Sequence, residues 1–175
     1  MNTETKKTPL HELHTELGAN MSVFGGYEMP LWYPSGARKE HLAVLTSAGL
    51  FDTSHMSGVL IEGDGAFELL QYLMTKDLNR CIGLKKTPLV PGRSIYGAFL
   101  NEQGHVIDDT IVFQLEKNRY LAYVNAGMGG KIAAHIESHK EGKNVRIEDL
   151  TDKLGKIDLQ GPDSARIMKR LLKEP

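Results

Sequence analysis

Asp108 and Asp109 are adjacent carboxylates inside an otherwise apolar run, with Val106-Ile107 before them and Ile111-Val112-Phe113 after. Aspartate is disfavoured in strands, so a pair of them at this place calls for a reason. Side chains alternate across a strand, and the two must therefore face opposite sides. Asp109 shares a face with Ile111 and Phe113. That partly apolar setting makes it a candidate proton acceptor or ligand-binding carboxylate. If the following turn centres on Lys117, Asp109 falls opposite Asn125, and directly opposed side chains can touch one ligand together. An even-length turn would offset that pairing by one. Carboxylates on edge strands also deter aggregation, and the strand pattern alone leaves both readings of Asp109 open.

The remaining candidates are weaker. His11 and His14 lie one helical turn apart, a spacing that can bind metal. They lack a third ligand and do not match His-Glu-x-x-His, so a solvated helix face is the reading adopted and no metal is expected. The run Asn125-Ala-Gly-Met-Gly-Gly-Lys131 looks like a phosphate loop but fails at both ends, with Asn125 in place of the first glycine and Ile132 in place of Ser/Thr. Cys81, the only cysteine, has no histidine near it in sequence to activate it and reads as buried filler.

These residues sit in a chain of ordinary globular composition: 175 residues, 41% hydrophobic and 25% charged. A formal net charge of −1 and the absence of any basic run give no case for a nucleic acid or anionic membrane as partner. There is no apolar core of a secretory signal near the N-terminus and no apolar stretch approaching the roughly 20 residues that span a bilayer, so a cytoplasmic location is expected.

The elements that must position the carboxylates follow from pattern. Thr8-Pro9 opens a helix that Gly18 stops. Residues 21–34, rich in Gly, Pro and aromatics, read as irregular or short-stranded, with the aromatics packed on a neighbouring layer. A helix fits Ala37–Ser47 with Leu42 and Leu45 inward and Gly49 closing it. Gly58–Glu62 alternates as a strand. Gly63-Asp64-Gly65 then turns it into a helix over 66–74, with Asp64 as cap and Phe67, Leu70 and Leu73 facing the core. Strands are predicted over 95–100, 106–115 and 120–125, then a helix over 130–140. A strand over 157–159 is followed, across Gly161-Pro162, by a helix over 163–173. Strands joined by hairpin-length turns and flanked by helices argue an α+β fold with an antiparallel sheet.

Several segments run in an order that points further: Phe24-Gly-Gly-Tyr-Glu-Met-Pro30, Glu40-His-Leu-Ala-Val44, Ala48-Gly-Leu-Phe-Asp-Thr-Ser-His-Met56, Gly104-His-Val-Ile-Asp-Asp109, Tyr120-Leu-Ala-Tyr-Val-Asn-Ala126 and Leu159-Gln-Gly-Pro162. In these the chain resembles the N-terminal portion of the glycine cleavage T protein family of aminomethyltransferases. The resemblance implies a cloverleaf-like, folate-binding fold. Residues 1–55 would be the first segment of domain 1, 56–142 an inserted α+β folate-binding domain, and 143–175 a truncated return to domain 1. It also implies tetrahydrofolate as co-substrate and the lipoylated H protein as partner. The family's central carboxylate falls on Asp109, and the folate contacts fall on Met56, Tyr96, Ile111, Tyr123 and Asn125. The Gly-Met-Gly-Gly that follows Asn125-Ala126 departs from the family pattern, and the family's later residues around the folate lie beyond this chain. Two other readings stay open at this point, a folate-dependent demethylase of the same superfamily and a non-catalytic folate-binding module.

Overall fold

A computed structural model of the chain describes residues 5–172. Two compact units are formed, one by the chain up to His55 together with the chain from Gly155 onward, the other by Met56–Leu154.

The second unit is built on β4 (Ser57–Glu62), α3 (Ala66–Leu73), β5 (Arg93–Leu100), β6 (Val106–Glu116), β7 (Arg119–Val124), α4 (Gly129–Ser138) and β8 (Arg146–Asp149). Its strands form one antiparallel sheet in the order β5-β6-β7-β4-β8. The period-2 pattern decides which face is covered. Val59 and Ile61, Phe99, Val112, and Ala122 and Val124 all turn to one side, where they join Leu69, Leu70 and Leu73 of α3 and Ile132 and Ile136 of α4 in a single buried cluster. On β6 the opposite parity leaves Asp109, Ile111 and Leu115 exposed on the other side. The sheet is thus covered by helices on one face, and the α+β class is the one the alternation implied.

The first unit holds α1 (His11–Glu16), a hairpin of β1 (Asn20–Phe24) and β2 (Tyr27–Trp32), α2 (Ala37–Thr46), β3 (Gly49–Asp52), β9 (Ile157–Gln160) and α5 (Ser164–Leu171). β3 pairs antiparallel with β9, from Gly49↔Gln160 to Asp52↔Ile157, which joins residues far apart in sequence.

Several expectations are corrected here. His11 and His14 are not on a solvated face: both are buried, because each ring meets a carboxylate from another element, Glu28 at 2.7 Å and Asp52 at 2.9 Å. The helix of residues 37–46 forms, but Leu42 and Leu45 are exposed and the helix has no buried residue. The segment 21–34 is short-stranded as expected, but of its aromatics Phe24 and Trp32 are exposed while Tyr27 is buried. Asp64 does not cap α3; its carboxylate accepts from Asn118 Nδ2 at 2.9 Å. The core face of α3 is Ala66, Leu69, Leu70 and Leu73, with Phe67 only partly buried. The second compact unit extends to Leu154 and includes β8, which pairs with β4. The expected last turn of the C-terminal helix at residue 173 lies outside the described residues. Among the described residues no helix is long and apolar enough to cross a membrane.

Candidate functional site

Three neighbouring strands bring the sequence-predicted residues together. Tyr96 on β5 pairs with Ile111 on β6, and Ile111 pairs in turn with Tyr123 on β7, so all three side chains stand on the sheet face away from the helices. Asp109 stands two residues from Ile111 on the same face, opposite Ala98. Asn125 follows directly on β7, whose ladder closes at Thr110↔Val124. The hairpin keeps the odd-turn register from Ile111↔Tyr123 to Thr110↔Val124, and a bulge between Gln114 and Glu116 absorbs the irregular turn. Asp109 and Asn125 therefore meet as the hairpin arithmetic anticipated. Met56 stands immediately before the Ser57↔Val124 pair, half-buried at a bend.

The polar groups are bonded to one another. Tyr96 Oη donates to Asp109 Oδ2 at 2.9 Å, and Asn125 Nδ2 donates to Asp109 Oδ1 at 2.7 Å. Those two donors, the tyrosine first, hold the Asp109 carboxyl below the usual carboxylate range. The same bond and the carboxylate's charge push the Tyr96 phenol up, so Tyr96 remains a donor. Asp109 is consequently an ionised acceptor. Desolvation pushes the other way and is outweighed, because the group is exposed and hydrogen-bonded.

Around this carboxylate stand exposed apolar side chains. Tyr96 is 60% exposed and Ile111 39%. The rings of Tyr123 and Phe113 meet edge to face with centroids 6.0 Å apart. Thr110, buried, donates its hydroxyl to the Tyr123 carbonyl at 2.8 Å and so secures β7 against β6. A planar ligand could lie on Tyr96, Ile111 and Tyr123 and present an N–H to Asp109. Cys81 plays no part; it is half-buried, its Sγ 3.5 Å from the Leu78 carbonyl, and burial pushes the thiol up.

Sequence reasoning left Asp108 without a role. The structure gives it one, as acceptor of both the Asn125 main-chain N–H at 2.8 Å and the Asn125 side-chain amide at 2.7 Å. The signal was present in the hairpin: a residue one step from the Asp109–Asn125 pair, on the buried parity, lies within reach of the same asparagine.

The Gly-Met-Gly-Gly segment also has a local reason. A Cβ on Gly129 would stand 2.8 Å from both Ser57 Cβ and Asp149 Oδ1, so the start of α4 approaches β4 and β8 too closely for a side chain.

An antiparallel sheet covered on one side by helices agrees with what comparison finds. Residues 10–175 match the profile of the GCVT N-terminal domain, and the chain belongs to that family. It is 37% identical over 167 residues to a protein of Deinococcus deserti named aminomethyltransferase, covering 95% of this chain and 44% of that one. It is 39% identical over 166 residues to the Bacillus subtilis protein of the same name, covering 95% and 43%. The crystal structure of glycine cleavage system aminomethyltransferase T from Bartonella henselae superposes with a TM-score of 0.84 at 36% identity, over 95% of this chain and 43% of that chain. The chain thus spans less than half the length of these relatives.

Proposed function

We propose that this chain carries the carboxylate-bearing folate platform of a tetrahydrofolate-dependent aminomethyltransferase. The reaction moves the methylene carbon of an aminomethyl group, held on the dihydrolipoyl arm of H protein, to tetrahydrofolate with release of ammonia. In balance, the carbon's bonds to sulfur and to the amine break and its bonds to folate nitrogens form. The protons those nitrogens lose leave with the sulfur and the ammonia. Membership in a family whose relatives are named aminomethyltransferase supports the class of reaction.

The observation that carries the reading is Asp109: an ionised carboxylate at the end of an open apolar strip, held by Tyr96 and Asn125. The fit to a pterin rests on shape and donor count. A flat ring lies on Tyr96, Ile111 and Tyr123, the Met56 thioether packs pliably beside it, and Asn125 offers an amide to the ring's polar edge. When bound, tetrahydrofolate supplies the nitrogens that take up the carbon. Asp109 accepts a hydrogen bond from a ring N–H, orients the ring, and takes part in proton transfer by proximity without forming a covalent bond. Residues 56–142 form the inserted folate-binding domain in this reading, and the protein works in the cytoplasm with H protein as its partner.

Calorimetric titration of tetrahydrofolate into the chain tests the proposal. Saturable binding is expected, weakened in Asp109→Ala by more than about 1.4 kcal/mol, a factor of ten. Binding that ignores the substitution would remove Asp109 from the site. Binding without ammonia release from aminomethylated H protein, once the remaining length of a relative is supplied, would favour a folate-binding module instead.

A further inference from the structure

Asp108 is the carboxylate that the proposed chemistry leaves unused, and it is the buried one of the pair, 8% exposed. It turns inward with Thr110, Val112 and Gln114 on β6. A buried carboxylate is costly unless its oxygens accept hydrogen bonds. Both oxygens here accept from one residue: Oδ2 from the main-chain N–H of Asn125 and Oδ1 from its side-chain amide.

Asn125 stands just past the end of β7 and has no ladder partner of its own. Its amide nitrogen carries two N–H bonds. One goes to Asp108 Oδ1 and the other to Asp109 Oδ1, each at 2.7 Å. A carboxylate can only accept, so the amide has a single workable orientation. Turned over, its carbonyl oxygen would face oxygens of both carboxylates. In the orientation present, that oxygen is directed away from both.

We infer that Asp108 is a positioning residue: it grips the main chain and amide of Asn125 and so fixes which edge of that amide meets Asp109 and which edge is left for a ligand. The surface then offers two kinds of acceptor, the Asp109 carboxylate and the Asn125 carbonyl, and selects ligands with an edge rich in N–H donors. Naming tetrahydrofolate as that ligand rests on the proposed function; the geometry around Asn125 does not.

The experiment uses the whole chain, labelled for NMR, without ligand. Both side-chain amide protons of Asn125 are expected to exchange about tenfold more slowly than those of an exposed asparagine, the scale of one charge-assisted hydrogen bond. Free exchange would overturn the inference, and this measurement needs no variant to fold. In Asp108→Asn, where one acceptor oxygen becomes a donor, the Asn125 main-chain and side-chain amide signals should shift and lose protection, while those of Ile111 and Tyr123 stay. Unchanged Asn125 signals would sink it.

Tetrahydrofolate titration then separates the two claims. Asp108→Asn should weaken binding about tenfold in the unaltered chain but by less than about twofold when Asn125→Ala is already present, because coupled residues are not additive. Equal weakening in both backgrounds would mean that Asp108 acts structurally and not through Asn125. Protected Asn125 amides in a chain that fails to bind tetrahydrofolate would uphold the positioning role and mean that folate binding requires the remaining length of the relatives or that the folate site is assigned wrongly.

Discussion

Gly161→Ala is expected to cost about 3 kcal/mol of stability, the upper part of the range for a side chain forced into a glycine-only conformation. Gly161 follows β9 with φ +116°, where side chains are rarely accommodated. Space is also lacking. A Cβ there would lie 2.5 Å from the Ser47 carbonyl oxygen and 2.6 Å from that of Val44, both backbone atoms near the end of α2. Neither can rotate away, so the end of α2 or the start of α5 must move. Two bonds depend on that placement: Asp163 N–H donates to Ser47 O at 2.9 Å, and Ser164 N–H to Gly161 O at 3.1 Å. Gly26→Ala is the matched control. Gly26 has φ +83°, and nothing lies within 4 Å of the place its methyl would take, so it should show the backbone cost alone, about 1 kcal/mol. Urea midpoints of the two variants read the difference, and equal losses would show that the crowding around Gly161 relaxes without cost.

What the sequence revealed, and what it hid, divides along one physical line. Elements whose pattern is satisfied by their neighbours in the chain were legible. The hairpin of β6 and β7 alternates cleanly, its turn is short, and counting across it brought Asp109 to Asn125. Its buried parity followed from Val112, Ala122 and Val124. Elements decided by partners distant in sequence were not. β3 is four residues closing against β9, more than a hundred residues away, and nothing in Gly49–Asp52 announces a strand. β8, rich in charge, forms because β4 offers an open edge. The histidines of α1 escape a sequence reading for the same reason: a helix-surface spacing says nothing of Glu28 or Asp52, which reach them from other elements. Asp108 was visible as an oddity in a strand, and the hairpin placed it within reach of the Asn125 amide, but its hold on the Asn125 main-chain N–H depends on the course of the chain just after Val124. The resemblance to a known family named the outward-facing residues but not the buried group that holds one of them.

The network behind α1 yields the other large effect. His14→Ala is expected to destabilise the chain by about 3 kcal/mol, because it removes a hydrogen-bond donor from a buried carboxylate and leaves the carboxylate in place. The Asp52 side chain is fully screened from solvent and that of His14 is 7% exposed. Since a carboxylate only accepts, His14 Nε2 donates to Asp52 Oδ2 at 2.9 Å; its Nδ1 lies 2.8 Å from the Tyr33 hydroxyl. The Ser54 main-chain N–H donates to the other Asp52 oxygen at 2.9 Å. Burial pushes the Asp52 carboxyl up, but the hydrogen bonds from Ser54 and His14 outweigh it and the group is held below its ordinary value. The sign of the pH effect follows. A carboxylate depressed on folding contributes stability above its unfolded pKa of about 3.9, and that contribution fades as pH falls through the folded value. Of the neighbours, Tyr33 is pushed up, away from that window, by burial and by Glu40 and Asp52, while burial pushes the His55 imidazole down. Taking away the His14 donor should raise the Asp52 value, so the variant loses stability at a higher pH than the parent as acid is added. Removing both side chains, His14→Ala with Asp52→Ala, should cost less than the two single changes added together, because no unpaired charge remains buried. Urea unfolding of the four proteins across the acid range decides it. Parallel pH curves for parent and His14→Ala, with strictly additive losses, would mean that the pair is not coupled and that α1 is held by its other contacts, His11 to Glu28 among them.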